Sequence, residues 1–182
     1  MVKKLKQQYE TPTEGWSQER IQKEDKLIED YGLKNKKEVY KAESELRNLR
    51  REARRLIAEE DKTQRRDLIK RVNSLGLIKK DGQLEDILTL NVTDILNRRL
   101  QTAVNRRGHA DTPKHARQLV THGHVYINGE KVNIPGYLLT QEEEKTLELR
   151  MPEPKQEEKE EEKTEQSEEN QEEQETEKEG EE

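Results

Sequence analysis

Apolar residues recur at Val39, Ala42, Leu46, Leu49, Ala53 and Leu56, with spacings of three and four. At about 100° per residue these positions fall within an arc of roughly 100°, which predicts an amphipathic helix with one buried stripe. Asn35, followed three residues on by Glu38, fits a capping-box-like start. Charge is sorted by face as well. Arg47, Arg50, Arg51, Arg54 and Arg55 occupy the adjacent arc of about 140°, and Glu45, Glu52 and Glu59 align on the other flank.

The same pattern extends on both sides. A helix starts near Ser17, carries Ile21 and Ile28 on one side and stops at Gly32, a residue suited to a left-handed cap. Downstream, Leu68, Ile69, Val72 and Leu75 predict a shorter helix from about Gln64 to Ser74, closed by Gly76. QLEDILTL reads as another short helix after the Asp81-Gly82 turn, and Thr93 is placed to cap a helix through ILNRRLQTAVNRR to Gly108. On that helix Arg99 lies inside the apolar arc. It is either snorkelling or ion-paired, or held close to RNA at the edge of the core.

In DTPKHARQLVTHG, Thr112 suits the N-cap, Pro113 the first helical position and Gly123 the position just past the end. Ala116, Leu119 and Val120 form a narrow apolar stripe, with Lys114, Arg117, Gln118 and Thr121 opposite. His124, Tyr126 and Asn128 then alternate with Val125 and Ile127, a strand with one buried face. Asn128-Gly129 is a hairpin signal, and KVNIP supplies the return strand before Pro135 stops it. The fold class is α+β: a helical N-terminal region and a small helix-helix-hairpin unit.

Composition changes this picture in one respect. Of 182 residues 42% are charged and 27% hydrophobic, too little apolar material for a large core. Residues 152–182 carry 4 Lys and 16 Glu, a net of -12, and leave 31 basic against 25 acidic residues in 1–151, a net of +6. With no apolar residue after Met151, the tail is expected to be disordered. It either covers the basic body as an electrostatic mimic of RNA or only improves solubility. MVKKLKQQYETPTEGW lacks periodicity and is expected to form an extended basic arm. The expected organisation is therefore an arm over 1–16, a helical region over 17–92, the helix-helix-hairpin domain over 93–150 and the tail over 151–182. There is no cysteine, which excludes disulfides and thiolate metal sites, and no apolar run approaches a membrane span. The expectation is a soluble, intracellular protein.

Two features carry candidate chemistry. A mixed charge run is ordinarily a solvated helix laced by its own salt bridges. Five arginines on one side, with only Glu43 among them, also suit phosphate, which a planar guanidinium grips bidentately. The second feature is THGHVYING, which gathers His122 and His124 at the helix-strand junction beside the basic face. Both rings can donate to phosphate or sugar oxygens or stack on a base. Alternatively they merely finish the turn in solvent. Metal ligation lacks support, because His109, His115, His122 and His124 have no standard ligand spacing and no Cys or HExxH accompanies them.

RRLQTAVNRRGHADTPKHARQLVTHGHVYINGEKVNIPGYLL resembles the RNA-binding domain of the S-four family, in its RRL, basic-Gly pair, ARQL, GH, short strand and NG. YETP, ERI, YGLKNKKE and ARRL resemble the archaeal and eukaryotic branch of the ribosomal members, so similarity spans roughly residues 3–145 in order. The resemblance implies a primary binder of small-subunit ribosomal RNA that acts early in assembly. It also implies a place near the path by which messenger RNA enters, neighbouring small-subunit proteins as partners, an influence on decoding accuracy and a cytoplasmic location in the ribosome. Glu14-Gly15-Trp16 stands where the archaeal pattern usually reads HPW, and the acidic tail replaces the usual C-terminal segment. The zinc-binding cysteines of some bacterial members are absent, so no cofactor or metal is expected.

The candidate RNA-binding residues are then Arg47, Arg50, Arg51, Arg54, Arg55, Arg98, Arg99, Arg106, Arg107, Lys114, His115, Arg117, Gln118, His122, His124 and Lys131. The faces around Arg47–Arg55 and Lys114–Arg117 are expected to neutralise on the order of 6–10 phosphates. Two other classes of function compete. An enzyme with this domain as an appendage, as in some pseudouridine synthases and tyrosyl-tRNA synthetases, would need a catalytic sheet, a Gly-rich phosphate loop or a nucleophile with a base. Nothing in the remaining residues supplies one, and no small-molecule substrate is implied. A non-ribosomal RNA-binding protein would use the same RNA-binding domain, and a scaffold would bind protein partners through the Val39 to Leu56 stripe, but three heptads are too few for a secure coiled coil.

Overall fold

The computed structural model describes residues 7, 9–14, 16–59, 61–79 and 82–150. The acidic tail lies outside them, as do residues 1–6, 8 and 15 of the arm and Asp81 of the expected turn. The described part of the arm forms neither helix nor strand and lies along the second helix. The Glu10 amide donates to Ser44 Oγ at 3.1 Å, and the Tyr9 and Tyr40 rings meet at 6.3 Å between centroids.

Helix α1 spans Gln18–Tyr31 and ends on Gly32 at φ 57°, the left-handed stop its sequence predicts. Its one buried residue is charged. Glu24 is paired with Arg20 at 2.9 Å and Lys36 at 3.6 Å, and accepts from the Tyr40 hydroxyl at 3.3 Å. Helix α2, Lys36–Glu59, buries all six stripe positions, with Val39, Ala53 and Leu56 fully inaccessible. The expected cap is displaced by one residue, because the Glu38 carboxylate accepts from the Lys34 amide at 3.2 Å.

Helix α3, Lys62–Ser74, begins two residues before the expected Gln64, because Asp61 caps it. One carboxylate oxygen of Asp61 accepts from the Thr63 amide at 3.0 Å, the Thr63 hydroxyl at 2.7 Å and the Gln64 amide at 3.4 Å. Arg65 folds back to the terminal carbonyls of α2, those of Leu56 at 2.8 Å and Ile57 at 3.1 Å. Helix α4, Leu84–Thr89, starts on a capping box formed by Gln83 and Asp86.

The single helix expected from Thr93 to Gly108 is two. Helix α5 is Val92–Asn97, capped by Asn91 with Asp94 rather than by Thr93, and α6 is Leu100–Arg106. Between them Arg99 is extended, at φ -76° and ψ 147°, and bridges to Leu138. The segment 135–139 competes for the backbone at the break. The Leu100 amide donates to the Tyr137 carbonyl at 2.8 Å, and the Leu139 amide to the Arg98 carbonyl at 2.9 Å. Propensity favours continuity, and a tertiary strand overrides it.

Helix α7, Pro113–His122, and strand β1, Val125–Ile127, lie where the sequence puts them. The return strand β2 is only Glu130–Lys131, shorter than the expected KVNIP. An unexpected helix α8, Gln141–Lys145, leads into an unexpected strand β3, Leu147–Leu149. The sheet order is β2-β1-β3, antiparallel throughout, with Tyr126 opposite Lys131 on one side and Glu148 on the other. Asn128 and Gly129 both take positive φ, at 52° and 85°, as the two-residue hairpin turn requires. The outcome is the α+β arrangement expected. One hydrophobic cluster runs from Leu33 to Leu96 through α2, α3, α4 and α5, and a second from Leu100 to Leu147 through α6, α7, β1 and β3.

Candidate nucleic-acid interface

The α7–β1 junction is built by local chemistry. Thr112 Oγ1 accepts the His115 amide at 3.1 Å, Pro113 occupies the first turn, and Gly123 ends the helix at φ 77°. Gly123 is doubly constrained. A Cβ added there would lie 1.9 Å from Lys131 Cε, so the Lys131 side chain crosses the glycine. Its ammonium thus rests at the C-terminal end of α7, where the helix dipole favours a cation. Beside it the His122 and His124 rings lie near-parallel, 10° apart in plane and 6.3 Å between centroids. On the next strand position the Arg150 guanidinium sits 4.6 Å from the Tyr126 ring centroid, a cation-π contact. Arg150 was not among the candidates, because it follows a strand that the sequence pattern does not announce. Among the described residues no group of three or more His, Cys, Asp or Glu could hold a metal ion.

The arginines of residues 98–117 are mostly turned inward. Arg99 is buried and pairs with Glu38, and Arg117 reaches the same carboxylate at 2.8 and 3.2 Å. Of the two readings of Arg99, the ion-paired one is what the structure contains. Burial pushes the Glu38 carboxyl up, but hydrogen bonds and charge from Arg117 and Arg99 outweigh it and hold the group below the usual range. Gln101, 1% exposed, accepts from Arg117 at 3.1 Å. Its amide nitrogen lies 3.0, 3.1 and 2.9 Å from the carbonyls of Tyr31, Gly32 and Pro113. A second carboxylate, Glu144 of α8, pairs with Arg98 at 2.8 Å and with Arg106. Burial likewise raises Glu144, and Arg106 and Arg98 bring it below the ordinary value. Arg107 donates to the Leu147 carbonyl at 3.3 Å.

On α2 the outcome differs by position. Arg47 pairs with Glu10 of the arm, and Arg50, partly buried, donates to the Leu90 carbonyl. Arg54 uses its Nε on the Arg50 carbonyl at 3.2 Å, leaving the rest of its guanidinium in solvent. Arg55 holds Gln64 at 3.0 Å and Glu59 loosely at 3.5 Å. Arg51 is exposed and makes no side-chain hydrogen bond or ion pair among the described residues. Lys114, His115 and Gln118 of α7 likewise make no side-chain hydrogen bond or ion pair among the described residues, with Lys114 and Gln118 exposed and His115 half-buried.

The structure does not merge these groups. Glu38, which Arg117 grips, precedes Arg51 by 13 residues on α2. That is about 20 Å along the helix and about 140° around it. The arginine side of α2 and the α7–hairpin end are separate basic surfaces held on one body.

Short arginine-bearing helices followed by a hairpin are the form of a small RNA-binding domain. Residues 98–145 match the S4 domain family. The chain is 45% identical to the small ribosomal subunit protein uS4 of Methanothermobacter thermautotrophicus over 145 residues, 78% of this chain and 85% of that protein. It is 46% identical over 139 residues to uS4 of Halobacterium salinarum, covering 76% and 82% of the two chains. With uS4 of Methanococcus aeolicus the identity is 44% over 149 residues, 80% and 84%. The chain belongs to the uS4 family of small ribosomal subunit proteins. These relatives are ribosomal proteins and not enzymes, which sets aside the appended-domain alternative.

Proposed function

We propose that this chain is a constituent of the small ribosomal subunit that binds the RNA of that subunit directly and early in its assembly. It acts in the cytoplasm as part of the ribosome, beside neighbouring small-subunit proteins, and influences decoding accuracy as the resemblance implies. Family membership supports the setting, and the uncompensated guanidinium of Arg51 supports the mode of contact. A helix carrying free arginine on one side and a buried stripe on another presents its charge outward without cost to the core.

The direct contacts fall to the outward-facing members of the candidate set. These are Arg51, Arg54 and Arg55 on α2, and Arg107, Lys114, His115, Gln118, His122, His124 and Lys131 around α6, α7 and the hairpin. Arg98, Arg99, Arg106 and Arg117 act instead through Glu38 and Glu144, fixing where that end sits. The fixed cations available for phosphate (Arg51, Arg54, Arg55, Arg107, Lys114 and Lys131) then number six, the low end of what the sequence pattern suggests. Affinity for naked small-subunit RNA should fall roughly 10³-fold between 50 and 200 mM salt, the low end of the 10³–10⁵ expected of 6–10 contacts. A salt titration by filter binding reads this directly, and a nearly flat curve overturns the proposal.

A further inference from the structure

On the flank of α2 that carries Glu45, away from its arginines, a half-open cavity of about 280 Å³ lies against α3, α5 and the segment at Leu138. Leu49, Leu75, Leu77, Ile95 and Leu138 form its apolar walls, and Glu45, Asn48, Arg71 and Arg98 complete the lining. It is small for a cofactor site, which runs to about 300–1,000 Å³, and suited to one bulky side chain. The rim decides the kind of occupant. Arg98 is engaged by Glu144 at 2.8 Å, and Arg71 reaches Glu52 at 3.6 Å. Glu45 makes no hydrogen bond or ion pair among the described residues, and burial pushes its carboxyl up despite Arg99 and Lys41 nearby. The one charge at the mouth without an ion pair among the described residues is therefore negative. It repels phosphate and attracts an ammonium or guanidinium.

We propose that this cavity is a docking socket for a neighbouring polypeptide, taking a bulky apolar side chain that has a Lys or Arg next to it, the basic group facing Glu45. Anchors of this kind dominate protein interfaces where an aromatic or aliphatic side chain fills a dry pocket. The socket lies on a different side of α2 from the arginines, so RNA and protein partners do not compete for one surface. The identity of the partner as a small-subunit protein rests on the function proposed above; the chemistry of the socket does not.

Two measurements test it. Phenethylammonium, titrated into the purified full chain, should shift the methyl resonances of Leu49, Leu75, Leu77, Ile95 and Leu138, with a Kd on the order of 1 mM. Phenylacetate and adenosine monophosphate should bind more weakly, and Glu45→Gln should weaken phenethylammonium about 2–5-fold while leaving phenylacetate unweakened. Equal binding of phenethylammonium and phenylacetate, or shifts elsewhere, overturns the socket. In the second arm, benzoylphenylalanine replaces the exposed rim residue Asn48 and the assembled small subunits are irradiated. A crosslink to a protein segment with an apolar residue beside a Lys or Arg is the expected result. A crosslink to RNA, to a segment without that pair or to nothing overturns the proposal. Failure of the chain to enter subunits counts against the ribosomal reading alone, and the titration still decides the socket.

Discussion

The arginines of α2 and those of residues 98–117 are equally numerous, five each, and are compensated to different degrees. Arg98, Arg99, Arg106 and Arg117 each meet a carboxylate, and two carboxylates, Glu38 and Glu144, serve all four. On α2 one guanidinium stays free at Arg51 and another mostly so at Arg54. A basic side chain counts fully toward an interface only if no carboxylate holds it closely; Arg55, with Glu59 at 3.5 Å, is only loosely held. In the second group each carboxylate also joins distant parts of the chain, so charge has become structure.

Removing the shared carboxylate should break this contrast most severely. Glu38→Ala leaves buried Arg99 without its counter-ion and should cost about 3–5 kcal/mol in urea unfolding. A cost under about 1 kcal/mol would mean the triad is ornamental. Glu38 also gives a pH signature. Its carboxyl is held below the ordinary value, so its stabilising effect is complete above the unfolded pKa and is lost as pH falls through the folded one. The urea midpoint of Glu38→Gln should therefore lie well below wild type at pH 7 and converge with it below about pH 4. Glu43 supplies the opposite sign. Burial and the Glu24 charge raise its pKa, so its ionised form is a cost, and Glu43→Gln should stabilise slightly at pH 7 but not in acid.

Smaller effects sharpen the other half. Arg51→Ala and Arg54→Ala should change stability by no more than about 0.5 kcal/mol. Each should lower the salt dependence of RNA binding by about one unit of slope. Equal thermal losses in these variants and in Glu38→Ala would erase the distinction. The least effect concerns the background charge. Deleting residues 152–182 removes a net of -12 and should tighten binding to random RNA at low salt more than binding to the cognate site. Unchanged random-RNA affinity in the truncated chain leaves solubility as the tail's role.

Helix α2 and the capped ends of α7 were legible because their causes are local: a stripe of period 3.6, Thr112, Pro113 and Gly123. The break at Arg99 was not, since its cause is a segment some forty residues later whose amides and carbonyls pair there. Helix α8 could have been found. Thr140 and Glu143 are a capping box in plain view, but the pattern of apolar positions beyond Leu139 is too sparse to announce a helix. Strand β3 is three residues long and hides in the same charged stretch. The basic surface was legible as a set of residue types and illegible as an inventory of free charge. The partners of Arg99 and Arg117 lie 61 and 79 residues away along the chain.

Gln101 gives the molecule a further property. One side-chain amide, with only two protons to share, sits among carbonyls from the end of α1 and the start of α7, while its oxygen takes Arg117. The helical region and the hairpin end cannot swivel independently about such a joint. Two separate basic surfaces held on a stiff frame behave as a caliper. An RNA whose phosphates match the gap engages both jaws at no further entropic cost, whereas one of the wrong span touches only one. Selection of the right fold of RNA would then reside in the span of the instrument rather than in any base it reads.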